Sequence, residues 1–452
     1  MRNPRSLIRF DYLSVHALLL LGYALLGKVF AYQGVAPVYI GEMALMLGTC
    51  GFVFSVRRWM ALRDWAVVPL LLFMLWGAIR AVPGVEEHGM IALRDSVIWG
   101  YGWFAVLVFT ILATQPHAFH RLLGLYAHFS RIAIPLVPAI WLASTVYGVV
   151  EFGAGGRTAP VLKGGEIMVH ACGILAFLYA YERKMGAAWL LFLPPFLAIG
   201  MTTRAGLLSF VGTVATLQVL RPARRRWFVV VGILLIALGV MELADLHIPV
   251  PGSHREISVD GLTSSLRSIF QETGSQSDEG TKRWRLQWWD KILEYTLEGE
   301  YFWTGKGFGV NLADDDGFGL DSSHSLRSPH NGHLTVLART GVPGLVLWAL
   351  AQGCWAGGML IGYVRARRNR RESLARLCLF LLGYWVGFMV NASFDVFLEG
   401  PMAGIWFWTV YGTGLAAMRI PGRTRLGGVR SDRVEAAASR GSETTADCLA
   451  RC

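Results

Sequence analysis

His330 stands in Ser328-Pro329-His330-Asn331-Gly332-His333, shortly before a long apolar run. A histidine at a water–membrane boundary is available as a general base. The plainer reading is a residue that caps the following helix or stands in water. His330 and His333, spaced i and i+3, could share a metal, yet no third ligand is evident and no metal is expected. Arg204 is the other informative residue. It lies in Thr202-Thr203-Arg204-Ala205-Gly206, between two apolar runs with almost no polar sequence to solvate it. An ionisable group in such a place is a functional-site candidate, and a planar guanidinium matches phosphate oxygens in pairs. The alternative is snorkelling to the interface. Arg94 with Asp95, and Glu166 with His170, are weaker candidates, while Asp395 and Glu399 read as solvated acids near an outer turn.

The elements that must position these residues surround a polar segment, 247–333. It carries 13 acidic and eight basic residues, so it opposes the sign of a chain whose net charge is +11. Within it, 281–297 reads as an amphipathic helix, with Trp284, Trp288, Ile292 and Tyr295 on one face. That face either lies in the membrane interface, where aromatic rings are favoured, or packs on the rest of the segment. Gly305-Lys306-Gly307-Phe308-Gly309 follows, then an acidic stretch at 314–321. Three glycines in five residues allow a tight turn. No strand–loop–helix context makes them a phosphate loop, and a structural turn is the default.

Composition places the whole in a membrane. Of 452 residues, 54% are hydrophobic and 16% charged, against roughly 25% charged in soluble proteins. That excludes a soluble enzyme of ordinary domains, a disordered chain and a disulfide-stapled secreted one. Six scattered cysteines offer neither a framework nor a zinc spacing. Twelve apolar runs suggest twelve transmembrane helices: 12–26, 35–54, 65–79, 97–113, 132–150, 167–181, 187–202, 205–220, 227–246, 342–364, 377–390 and 402–418. The expected fold is an all-α polytopic membrane protein. Residues 1–246 hold helices one to nine, 247–333 a large periplasmic loop with the catalytic elements, 334–418 helices ten to twelve, and 419–452 a disordered cytoplasmic tail. With the N-terminus inside, 20 Lys and Arg fall in the N-terminal segment and inner connections, against six in the short outer ones. Both termini are therefore expected in the cytoplasm, and the basic N-terminal stretch is taken as the flank of an uncleaved first helix. The positive charge sets topology and meets membrane lipids; no nucleic acid is needed to explain it.

At these residues the sequence resembles the O-antigen ligase family, which includes polysaccharide polymerases and some protein O-glycosylating enzymes. The family's histidine followed by Asn, Ser or Gln, nine residues and Gly-x-x-Gly corresponds to His330-Asn331 and Gly341-Val342-Pro343-Gly344. Its Arg-x-x-x-Trp element looks like Arg285 to Trp289, its Gly-x-Gly like Gly305 and Gly307, and its Arg-Gly-Ala-like element like Thr203-Arg204-Ala205-Gly206. Two departures stand out: Ala205-Gly206 reverses the usual order, and Arg339 stands where members often carry an acid, leaving its partner open. The motif resemblance covers about 202–347.

The resemblance implies transfer of a glycan from an undecaprenyl-diphosphate-linked donor to an acceptor hydroxyl at the periplasmic face of the bacterial inner membrane. The acceptor would be lipid A-core or a growing glycan. His330 would act as general base, Arg204 and Arg285 would bind the diphosphate, and Asn331, Gly341, Gly344 and Trp289 would support them, with inversion at the anomeric carbon and no metal or other cofactor. A repeat-unit polymerase of the same family is the nearest alternative. A transporter or flippase is the distant one; it would leave the large loop without a role, and no repeat symmetry between the two halves suggests it.

Overall fold

The computed structural model describes residues 11–35, 38–115, 117–147, 150–152, 157–159, 162–182, 187–222, 224–249, 256–263, 276–319, 324 and 326–420. The tail beyond 420, expected to be disordered, lies outside them. The helices are α1 (Tyr12–Ala31), α2 (Ile40–Val53), α3 (Val56–Ala61), α4 (Val68–His88), α5 (Met90–Asp95), α6 (Val97–Gly100), α7 (Gly102–Thr114), α8 (Ala118–Tyr147), α9 (Gly164–Tyr181), α10 (Ala187–Met201), α11 (Arg204–Leu220) and α12 (Arg224–Leu243). After the polar segment's α13 (Gln276–Leu293) and α14 (Leu312–Asp315) come α15 (Gly332–Arg368), α16 (Glu372–Ala392) and α17 (Pro401–Met418). Sheet structure among the described residues is confined to three antiparallel two-stranded ladders of two or three residues a side.

Among the described residues, each of the twelve apolar runs falls mainly on helix, the second opening on strand residues before α2. Among them, seven stretches are long and apolar enough to cross a membrane: Tyr12–Ala31, Trp65–His88, Val97–Thr114, Ala118–Ser144, Gly164–Tyr181, Gly332–Arg368 and Glu372–Ala392. The chain is thus a helical, multi-pass membrane protein. Four more apolar helices are shorter, Ile40–Val53, Ala188–Met201, Arg204–Leu220 and Phe228–Leu243. Pro401–Met418 is diluted by Trp, Tyr, Gly and Thr but is buried from Ala403 to Ala417. It packs on α7 and α1, while α16 packs on α9, α11 and α15.

The tenth helix begins ten residues earlier than its apolar run. Arg339 interrupts the apolar pattern, yet the helix starts at Gly332 and passes through it. A break falls at Gly341, with φ +69° and ψ −174°, two residues before Pro343. Proline has no N–H, so the carbonyl of Arg339, four residues earlier, loses its helical donor. The freed groups find partners across the polar segment. Gly307 N–H donates to Arg339 O (3.0 Å), Lys306 N–H to Ala338 O (2.7 Å) and Trp76 Nε1 to Thr340 O (2.9 Å), while Val342 N–H turns to Phe302 O (2.8 Å). A broken helix at membrane depth is tolerated when neighbours satisfy its backbone in this way.

Two glycines make the approach possible. A Cβ on Gly305 would lie 2.4 Å from the Arg339 carbonyl carbon, and one on Gly341 would lie 2.5 Å from Phe302 O. The Gly-x-Gly and Gly-x-x-Gly elements are therefore one joint, in which the 302–307 turn is pressed into the helix break. On the other side, a Cβ on Gly84 of α4 would stand 2.1 Å from Phe308 O, and Arg80 Nε donates to Thr304 O (2.8 Å). The glycines act as packing surfaces, and Lys306 is occupied elsewhere, its ammonium 2.5 Å from both Asp315 and Asp316.

Candidate active site

His330 immediately precedes the N-cap of α15. Asn331 is its N-cap: Oδ1 accepts from His333 N (3.0 Å) and Leu334 N (3.1 Å), filling two of the donors a helix start leaves open. On the other side of His330, Pro329 O accepts Trp289 Nε1 (2.8 Å). Held between these two anchors, His330 adopts φ +54°, a left-handed conformation that is strained for a non-glycine residue. Its Nδ1 stands 3.7 Å from Asp395 Oδ1.

Arg285 reaches the same place. It precedes Trp289 by four residues on α13, so both side chains leave one face of that helix. Arg285 Nη1 donates to Phe394 O (3.4 Å), the carbonyl immediately before Asp395. The Arg-x-x-x-Trp element thus clips the polar segment to the His330 turn with one residue and to the Asp395 turn with the other. The flanking face of α13 is fixed by packing. Trp288 and Ile292 are fully buried against Leu312, Ala313, Leu337 and Ala338, with Trp284 and Tyr295 beside them. Of the two readings of the amphipathic face, packing on the segment and on α15 is the one adopted.

Asp395 corrects the expectation of a solvated acid. It is half-buried in the 393–400 turn, and its Oδ1 also accepts from Val396 N (2.8 Å). Burial alone would raise its carboxyl, but His330 and the Lys163 ammonium outweigh that and hold it below the usual carboxylate range. Lys163, the residue before α9, is held above the usual lysine value, since Asp395 and Glu166 outweigh the cost of burial. Glu399 likewise is no solvated acid. It is half-buried near Arg339, and burial raises its carboxyl despite that arginine and the Thr335 and Ser328 hydroxyls.

Arg204 opens α11 behind its N-cap Thr203, whose Oγ1 accepts from Gly206 N (3.3 Å), and it is half-buried. The Thr202–Thr203 connection abuts the start of α9: a Cβ on Gly164 would lie 3.0 Å from Thr202 Oγ1. A Cβ on the adjacent Gly165 would lie 3.7 Å from Asp395 Oδ2. Arg204 therefore begins its helix at the same end of the bundle as Asp395 and His330.

The remaining candidates are structural. His333 accepts Trp348 Nε1 at Nδ1 (3.1 Å) and meets Met389 O at Nε2 (3.4 Å), which leaves neither ring nitrogen for a metal shared with His330. His170 is buried inside the bundle with Nδ1 2.9 Å from the Tyr384 hydroxyl. Arg94 is exposed beside Asp95 (3.6 Å). Asp95 itself is the partner that Arg339 lacked in sequence. It lies 3.0 Å from the fully buried Arg339 guanidinium and 2.8 Å from Arg327, and accepts from Gly309 N (3.3 Å). These charges bind α5, the glycine turn and α15 into one body.

Residues 186–349 match the family model described as O-antigen ligase. Over this segment the chain is similar to the O-antigen ligase family. No curated protein matches the chain. The O-antigen ligase segment contains Arg204, Arg285, Trp289, Gly305, Gly307, His330, Asn331, Gly341 and Gly344, all of which the motifs had singled out. Asp395 and Lys163 lie outside it and were not read as site residues. One signal was available: Asp395 is an acid flanked by Phe394 and Val396 between apolar runs, the pattern that marked Arg204.

Proposed function

We propose that the protein transfers a glycan from an undecaprenyl-diphosphate-linked donor to an acceptor hydroxyl, by a single inverting displacement at the periplasmic face of the inner membrane. The observation that carries this reading is the convergence of His330, Asp395 and Arg285 on one turn, in a chain whose 186–349 segment matches the O-antigen ligase family. With Nδ1 facing Asp395, the nitrogen left for the acceptor is Nε2. The acceptor oxygen bonds to the anomeric carbon while its proton passes to Nε2, and Asp395 stabilises the imidazolium that forms. The bond from the anomeric carbon to the diphosphate oxygen breaks, and its electron pair leaves with that oxygen. Arg285 and Arg204 meet the developing charge with planar donor forks. The donor is already activated, so no nucleotide is required.

Topology supports the placement. Lys163, the Thr202–Arg204 connection, Asp395 and the polar segment belong to separate connections that the Lys and Arg bias puts outside when both termini are cytoplasmic, in a twelve-span plan. They meet at one end of the bundle.

The test is reconstitution of the full chain in vesicles with an undecaprenyl-diphosphate-linked oligosaccharide and a lipid A-core acceptor. The expected result is a glycosylated acceptor and released undecaprenyl diphosphate. Chain extension of the donor in place of acceptor capping would make it a polymerase. Passage of the donor across the bilayer without any transfer would overturn the reading in favour of a flippase.

A further inference from the structure

Asp395 presents two oxygens to two different places. Oδ1 faces His330, and Oδ2 faces the backbone of Gly165, where the absence of a side chain leaves a notch. A Cβ built on Gly165 would lie 3.5 Å from Asn391 Nδ2, 3.7 Å from Asp395 Oδ2 and 3.8 Å from Asn391 Oδ1. Asn391 is fully buried, and its Nδ2 is committed to Gly165 O (2.9 Å). Its Oδ1 is buried without a hydrogen-bond partner among the described residues. A buried acceptor left unsatisfied costs about 1–3 kcal/mol, so such an atom in a folded protein marks a place where a donor is received.

Resting on the transferase reading above, we propose that this notch is an acceptor subsite. It receives a hydroxyl of the acceptor glycan other than the one that attacks. The chemistry of the walls selects the ligand. Asn391 Oδ1 and Asp395 Oδ2 accept hydrogen bonds, and Glu166 lies near enough to Asp395 and Lys163 to interact with both. A hydroxyl donates to such oxygens, which an ionised diphosphate cannot do. Lys163 and Lys28, which interact with both acids, balance their charge, so the cluster suits a neutral polyol. Geometry sets its place. The attacking hydroxyl lies at His330 Nε2, and the notch adjoins Oδ2 of the carboxylate whose Oδ1 faces the other ring nitrogen, so the hydroxyl it receives is set apart from the attacking one.

Gly165→Ala tests the subsite with little structural cost. All the contacts its methyl would make are 3.5 Å or longer, ordinary van der Waals distances, and alanine is the better helix former. The full chain is assayed in detergent with an undecaprenyl-diphosphate-linked oligosaccharide as donor and purified lipid A-core as acceptor probe. The expected result is an acceptor KM raised about tenfold, with donor KM and melting temperature as in the wild type. Among core acceptors each lacking one hydroxyl other than the attacking one, one should lose affinity for the wild type and lose none for Gly165→Ala. An acceptor KM within twofold of wild type would overturn the subsite and leave the notch to water. A raised donor KM alone would overturn it by assigning the notch to the donor glycan. His330→Ala runs beside it as the control: full activity of that variant removes the transferase assignment itself, whatever Gly165→Ala does.

Discussion

His330 Nδ1 and Asp395 Oδ1 stand 3.7 Å apart, joining the residue ahead of a helix N-cap to a turn 65 positions along the chain. The pair fixes which imidazole nitrogen is free. His330→Ala should lower kcat by about 10²- to 10⁴-fold, the usual contribution of a positioned general base. Asp395→Asn keeps the shape and removes the charge that stabilises the imidazolium, so kcat should fall while donor KM changes little. Single-turnover rates with purified donor check both. Wild-type turnover by His330→Ala would remove the base assignment.

The same carboxylate makes a prediction about acid. Its carboxyl is held low in the folded protein, against roughly 3.9 in an unfolded chain. A depressed group contributes stability above its unfolded value and loses it as pH falls through the folded one. Between pH 5 and pH 3, wild type should therefore lose more melting temperature than Asp395→Asn. Parallel curves for the two would show that the ion pairing contributes nothing to folding.

Arg285 is tied to Phe394 O through one nitrogen, and a guanidinium has further donors to offer a phosphate. Arg285→Lys and Arg204→Lys retain charge but lose the planar fork. Each should cost about 10- to 100-fold in kcat/KM for the donor, the range of a charge-assisted hydrogen bond. Titrating the lipid-linked donor at saturating acceptor separates this from an acceptor effect. Unchanged donor parameters in both variants would exclude the diphosphate role.

Much of this architecture is legible in the sequence because it is local. Apolar runs announce helices, and the His-Asn and Arg-x-x-x-Trp spacings each act within one turn of helix. What escapes is the charge that is neutralised from far away. Arg339 breaks the apolar pattern of the tenth helix, which displaced its expected start to Val342, and Asp95 restores it from 244 positions upstream. Asp395 is the same case in reverse: read alone it is a polar turn residue, and only Lys163 and His330, brought by other helices, make it part of a site. The glycine turn was legible as a turn, but its partner surface at Gly341 was not.

Arg339 is fully buried and Asp95 nearly so. Removing one partner of a buried pair leaves an uncompensated charge and costs about 3–5 kcal/mol. Asp95→Ala strands Arg339 and also releases Arg327 and Gly309 N, whereas Arg327→Ala leaves the buried pair intact. Asp95→Ala should thus lower the melting temperature in detergent far more than Arg327→Ala. Equal shifts would mean that the half-buried arm of the cluster carries as much as the buried one.

Gly305 and Gly341 make the sharpest structural prediction because they fail for two reasons at once. Both have positive φ, and at both a methyl would enter backbone at 2.4–2.5 Å, where no side chain can rotate away. Gly307 shares the positive φ, yet the nearest atom to its added Cβ is 3.9 Å away. Gly307→Ala should therefore carry only the conformational cost, about 1–3 kcal/mol. Gly305→Ala or Gly341→Ala must in addition separate the turn from the helix break and unpair Ala338 O, Arg339 O and Val342 N. Since His330 immediately precedes the N-cap of the short helix ahead of that break, the two severe variants should lose transfer activity along with thermal stability, while Gly307→Ala keeps most of its rate. Melting curves and turnover measured on the same three preparations decide it, and comparable damage at all three positions would show that backbone conformation, not the close approach, holds the joint.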